Sequence, residues 1–366
     1  MEGASDGYRT KSAANRLLVT RPQPPQPREG RAYAALDLGT NNCRLLVARP
    51  SRRGFVVLDA FSRIIRLGEG VLETRRLSEP AMERTMEALH ICSGKMTRHR
   101  VVRSRLVATE ACRIAENGGE FLRRVRRDLG IELEILSCEA EAKLAVSGCA
   151  SLLDTKADLA LVFDIGGGSS ELIWIDLTRR HGRWRAALAD RLEAQNCIAA
   201  WTSLPLGVVT LAERFGGRNV TPQSFRNMVA HITSHLAPFE ARYSFRPRLA
   251  RQKVHFLGTS GTVTTVAGIK FGLPRYDRRR VDGCWLSAAD VESVTARLLA
   301  CSYEQRAAEP CIGKERADLV LAGCAILAAL LKMWPAQRLR VADRGLREGI
   351  LATLMAEDRL WHSSAR

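Results

Sequence analysis

From Ala32 the chain reads Ala-Tyr-Ala-Ala-Leu36, breaks at Asp37-Leu-Gly-Thr-Asn-Asn42, and turns apolar again over Cys43 to Ala48 and Gly54 to Phe61. Short apolar runs bounded by Gly, Asn and Asp predict strands joined by turns, here a three-stranded meander. Helical spacing takes over at Ser78 to Met96, where Glu79-Pro80 suits a first turn, and returns at Gly118 to Leu129. Arg105 to Thr109, lying between them, predicts a buried strand. A strand over Ile131 to Leu136 and a helix over Ser137 to Leu153 come next. The opening pattern then recurs as Leu159 to Asp164, a glycine-rich turn, and Glu171 to Leu177.

That recurrence is the strongest organisational signal. Ala35-Leu-Asp37-Leu-Gly-Thr-Asn41 and Val162-Phe-Asp164-Ile-Gly-Gly-Gly-Ser169 are two strand-Asp-x-Gly turns, 127 positions apart, the mark of a duplicated domain. Residues 32–150 and 151–366 are therefore expected to form two α/β domains around a cleft, with the last helix free to pack back on the first domain. Residues 1–31 run into Arg21-Pro-Gln-Pro-Pro-Gln-Pro-Arg28, whose prolines remove backbone donors, so a disordered basic extension is expected there.

Composition narrows the class without choosing a function. Over 366 residues, 46% hydrophobic and 26% charged is ordinary for a globular protein, while a net charge of +17 favours polyanions of any kind. Ten cysteines contain no Cys-x-x-Cys pair, which argues against a zinc or dithiol site and for reduced thiols in the cytoplasm. The longest apolar run, Leu319 to Leu331, is thirteen residues and predicts a buried helix rather than a membrane span.

Candidate chemistry sits in the turns. Gly166, Gly167, Gly168 and Ser169 offer backbone N–H groups without side-chain bulk, a cradle that can approach a phosphate. Asp164 and Glu171 flank that turn, placed to hold Mg²⁺ against the phosphate oxygens, and Asp37 joins them through the repeat. Gly39, Thr40, Asn41 and Asn42 form the weaker first turn, made of ordinary turn residues. Gly258, Thr259, Ser260 and Gly261 follow the strand Val254 to Leu257 and open a helix, a third source of anion-binding N–H groups.

Three such loops in this order resemble the two phosphate motifs and the adenosine motif of the actin and sugar-kinase superfamily. The resemblance implies an α/β fold of duplicated actin-like ATPase domains, ribonuclease H-like, with an interdomain cleft. Arg66-Leu-Gly-Glu-Gly70, Ala108-Thr-Glu-Ala-Cys-Arg113, Glu139-Ala-Glu141-Ala-Lys143 and Leu206-Gly207 make the chain similar to one branch, the exopolyphosphatase/guanosine-pentaphosphatase family. That similarity implies Glu141 as the catalytic acid that handles water and Arg113 as a guanidinium near the substrate phosphates. It also implies an exopolyphosphatase acting on inorganic polyphosphate, with guanosine pentaphosphate as the alternative substrate, and a homodimer. Geometry agrees that only one of Glu139 and Glu141 can face a cleft, since side chains two apart on a helix leave on nearly opposite sides.

Departures from the family pattern are Lys143 for Arg, Thr40-Asn41-Asn42 for Ser-Asn-Ser, and Asp282-Gly283 for His-Gly. An actin-like kinase and a catalytically dead polyanion- or RNA-binding protein are the alternatives of another class. His231 and His235, four apart, lack the glutamate of a zinc protease motif and predict a helix surface. Arg275 to Arg280 reads as a solvated basic loop.

Overall fold

The computed structural model describes residues 30–52, 54–179 and 194–358; all but two residues of the expected 1–31 extension lie outside this range. Two sheets form the molecule. The first has the order β3-β2-β1-β4-β5, built from β1 (Ala32–Leu38), β2 (Asn42–Ser51), β3 (Gly54–Ile64), β4 (Val101–Ala108) and β5 (Glu134–Ile135). The second has the order β10-β11-β9-β6-β7-β8, from β6 (Leu159–Ile165), β7 (Ser170–Asp176), β8 (Ile198–Leu204), β9 (Val254–Thr259), β10 (Trp285–Ser287) and β11 (Arg338–Ala342).

The two sheets are copies. β1 pairs antiparallel with β2 and parallel with β4, and β6 repeats this with β7 and β9. Side chains follow the same rule in both halves. Ala32, Ala34, Leu36 and Leu38 point to one core and Tyr33 and Ala35 to another; Leu159, Leu161, Phe163 and Ile165 point to one core and Ala160 and Val162 to another. Both faces are covered, which is why these strands are apolar throughout rather than alternating. This is the duplicated actin-like architecture.

Most helices fall where helical spacing predicts them, including Glu79–Arg98, Gly118–Leu129 and Val320–Met333. The last carries the long apolar run, is buried on nearly all sides and anchors the core of the second half. Among the described residues no helix is long and apolar enough to cross a membrane. Two expectations contract. The strand expected over 131–136 keeps only Glu134 and Ile135, and the helix expected over 137–153 ends at Cys149, with a 3-10 turn at Ala150–Leu152.

The helix Leu346–Glu357 follows the second sheet in the chain but packs on the first. Leu346, Ile350, Leu351, Leu354 and Met355 join Tyr33, Ala35, Leu46, Ala48 and Val107 in one core. Tyr33 OH donates to Asp358 Oδ2 at 2.6 Å, and Arg103 pairs with Glu357 at 2.7 Å. The neighbouring helix Cys138–Cys149 lies against it at backbone contact: a Cβ on Gly148 would stand 1.9 Å from Gly345 O, and one on Gly349 2.0 Å from Leu144 O.

Candidate active site

The two repeated turns meet. Gly39 N donates to Asn42 O and Gly166 N to Ser169 O, both at 2.9 Å, so each half closes its turn in the same way. A Cβ on Gly167 would lie 3.0 Å from Thr40 Cβ and 3.1 Å from Asn41 N, and one on Gly168 2.8 Å from Thr40 Oγ1. Neither Gly166, Gly167 nor Gly168 has positive φ. At Gly167 and Gly168 glycine is needed because the other half's turn presses against it, a reason the sequence alone did not supply.

Between the turns lies a cavity of about 130 Å³, lined by Gly39, Thr40, Asn41 and Asn42 from one half and Gly166, Gly167, Gly168 and Ser169 from the other. Asp37, Asp164, Glu171 and Glu141 face it, as do Ser260 and Gly261. The remaining expected residues do not line it. Gly258 is packed under the Phe163 ring, where a Cβ would sit 2.6 Å from its Cζ. Thr259 borders only the adjoining chamber, its hydroxyl donating to Arg344 O at 2.8 Å.

Glu141 is carried into the cavity by the start of its helix, where Ser137 Oγ accepts from Ala140 N. Glu139 turns away and pairs with Lys143 at 2.7 Å, its side chain 53% exposed against 15% for Glu141. Arg113 differs from its expected place. Its guanidinium is not on the cavity wall; it donates to Glu110 (3.0 Å from Nε), to Leu136 O at 2.7 Å and to Glu141 Oε2 at 3.3 Å. Arg113 thus holds the acid at position 141, and its donors face two carboxylates and a backbone carbonyl rather than an open anion site.

Electrostatics set the character of the cavity. Asp37 faces Arg44 across the β1–β2 ladder, and the equivalent Asp164 faces Glu171 across β6–β7, so the duplicated position is cationic in one half and anionic in the other. Burial, followed by Glu171, pushes Asp164 up to about 8. Burial and then Glu171 also hold Glu141 well above the usual carboxylate range, with Arg113 opposing. Glu171 is raised by burial, against hydroxyl hydrogen bonds from Ser169 at 2.7 Å and Ser203 at 2.9 Å. Asp37 is raised by burial, against Arg44 and Arg347.

Cations complete the site: Arg44, a weaker candidate in the sequence beside Arg113, and three that the motifs did not flag. The cavity opens into a chamber of about 780 Å³ that shares Asp37, Arg44, Asp164, Ser260, Gly261, Arg316 and Leu346 with it. Arg44, Lys314, Arg316 and Arg347 line the chamber, and among the described residues their side chains make no hydrogen bond or ion pair. Burial, then repulsion from Arg44, pushes Arg316 down; burial also pushes Arg347 down. The chamber's acids Asp343 and Glu348 are engaged by Arg278, at 3.4 and 2.9 Å, which gives the basic run 275–280 a structural member. Asp282, the departure from the expected His-Gly, pairs with Arg344, which lines the chamber.

No three His, Cys, Asp or Glu side chains among the described residues are arranged to hold an ion by themselves. Asp37, Asp164 and Glu171 therefore share a cavity without forming a closed ligand set. All ten cysteines are free thiols.

The model of the Ppx/GppA phosphatase family matches residues 46–358. Among solved structures, the Aquifex aeolicus member of that family is 27% identical, with 90% of this chain and 98% of that chain covered and a TM-score of 0.71. An exopolyphosphatase-like protein is 28% identical over 89% of this chain and 98% of its own, with a TM-score of 0.77. An exopolyphosphatase from Cytophaga hutchinsonii, 23% identical over 89% and 98%, shares the fold with a TM-score of 0.77.

Proposed function

The chain belongs to the Ppx/GppA phosphatase family, and from that premise we propose that it is an exopolyphosphatase releasing terminal orthophosphate from inorganic polyphosphate. It is a phosphoric anhydride hydrolase acting on polyphosphate or guanosine pentaphosphate. The polymer is favoured by one observation: the catalytic cavity continues into a chamber where Arg44, Lys314, Arg316 and Arg347 stand unpaired. The partly buried, unpaired guanidinium groups of Arg44, Arg316 and Arg347, with the exposed Lys314 ammonium, suit a succession of phosphates better than an uncharged ribose and base.

In the mechanism, the terminal phosphoryl group rests between the two glycine turns with its anhydride bond directed toward the chamber. Glu141, held by Arg113, orients a water and takes its proton as the water oxygen bonds to phosphorus; the P–O bond to the shortened polymer breaks, and its charge passes to Arg44 and Arg316. Stabilising charge on the phosphoryl oxygens is the main task in such a transfer. Buried carboxylates that resist ionisation call for a cation before a polyanion enters. Asp37 or Asp164 would hold Mg²⁺, an ion that usually keeps much of its water and needs few protein ligands. The buried amide oxygens of Asn41 and Asn42 have no hydrogen-bond partner and suit its water shell. Mg²⁺ would supply neutralisation of the phosphoryl charge.

Glu141→Gln should lower phosphate release from polyphosphate by about 10²–10⁴-fold while keeping polymer binding. A fully active variant would remove Glu141 from the mechanism. Guanosine pentaphosphate is the second reading, favoured by Tyr276, which lines the chamber and is 40% exposed, a ring that could stack on a base. Phosphate release with long polyphosphate and guanosine pentaphosphate in competition, with and without Mg²⁺, separates the two.

A further inference from the structure

The segment after β3 ties the two halves together beside the cavity. The amides of Ile65 and Arg66 donate to Asn41 O at 2.9 and 3.1 Å, and Gly68 N donates to Thr40 O at 2.9 Å, so this segment is bonded to the first phosphate turn. Its path is tightly fixed. Arg66 has φ 49, a region few non-glycine residues occupy, and a Cβ on Gly68 would come within 2.2 Å of Thr40 Cγ2.

From that position Arg66 reaches into the second half. Its Nη1 is 2.9 Å from Asp318 Oδ2, and its Nη2 donates to Asp318 Oδ1 at 3.0 Å and to Glu315 O at 3.1 Å. Both partners belong to the short loop that carries Arg316. One planar fork thus grips that loop on both sides of the arginine that faces the cavity. Gly70 N adds a second tie to the same half, donating to Glu213 Oε1 at 2.8 Å.

We propose that Arg66 is a positioning residue whose fork on Asp318 and the Glu315 carbonyl sets Arg316 at the cavity, beside Gly261 and Arg44, to receive a substrate phosphate. Arg316 is the group that touches the anion; Arg66 acts only through it. Because the Arg66 segment is bonded to Thr40 and Asn41, one strap fixes both Arg316 and the turn that captures the phosphate. The inference rests on the reading of the substrate as a phosphate chain.

Tripolyphosphate binding to the full chain, measured by calorimetry for the wild type, Arg66→Ala, Arg316→Ala and the double variant, tests it. Each single variant should weaken binding about tenfold, and the double should be no weaker than Arg316→Ala alone, since a lost positioner has nothing left to position. Penalties that multiply, or an Arg66→Ala protein that binds like the wild type, overturn the proposal. So does an Arg316→Ala protein that binds unchanged. Should Arg66→Ala fail to fold, Asp318→Asn in both backgrounds carries the same comparison. Phosphate release from polyphosphate is followed in parallel. A wild type that binds tripolyphosphate and obeys the cycle without hydrolysing polymer would sink the proposed activity and leave the clasp standing.

Discussion

Asp164 and its counterpart Asp37 show how two copies of one motif acquire different chemistry from the residue across the ladder. Asp37 has a cation opposite, Asp164 a second acid. A carboxyl whose folded-state pKa lies above its unfolded one holds its proton more tightly when folded. The metal-free protein should therefore lose stability as pH climbs from the ordinary 3.8 toward about 8, and level off above. Calorimetric melting in chelator across that range should show the decline, and Mg²⁺ should offset it by favouring the carboxylate. In Asp164→Asn the slope should flatten; an unchanged slope would mean that Asp164 ionises freely in the fold. Residues of this kind were legible in the sequence because Asp, Gly and Ser recur at fixed offsets. Arg316 and Arg347 were not, because in a chain with 56 basic residues nothing local separates a guanidinium facing a cavity from one facing solvent. Arg113 shows the reverse limit: its motif was readable, but its partners Glu110 and Glu141 were set by packing.

Elements were legible in proportion to how local their cause is. The first turn of each half, the Ser137 cap and the apolar helix Val320–Met333 follow from neighbouring residues alone. The strand β8, which closes the second meander as β3 closes the first, left only an ambiguous trace, since Ile198–Leu204 mixes Trp, Thr and Ser with its apolar positions. Nor could spacing show that Gly148 and Gly349 exist to let two helices touch. That contact yields a test. Gly148→Ala puts a methyl into Gly345 O and must push the helix Leu346–Glu357 off its seat, at a cost on the order of 1–3 kcal/mol for overpacking. The midpoint of denaturant unfolding should fall accordingly, and because Gly345 also neighbours Asp164 and Thr259, phosphate release should fall with it. Gly94, which has open space around it, is the control: Gly94→Ala should not lower the midpoint.

At the scale of the whole molecule, a net charge of +17 draws in any polyanion, but only the cations facing the chamber should count in a stoichiometric sense. Binding of long polyphosphate should weaken linearly in log affinity against log salt as counterions are released. Lys314→Ala should reduce that slope by about one, whereas replacing a distant exposed arginine such as Arg126 should leave it nearly intact. Titrations at several salt concentrations read both. The helix Leu346–Glu357 bears on how the protein is made. Its seat is a face of the first sheet, yet a ribosome delivers it only after the entire second sheet. A nascent chain that has already emitted Tyr33, Ala35, Leu46 and Val107 must therefore keep that apolar face shielded, by chaperone or by provisional collapse, until its cover arrives. The first half is thus expected to reach its final form only once the second has been made.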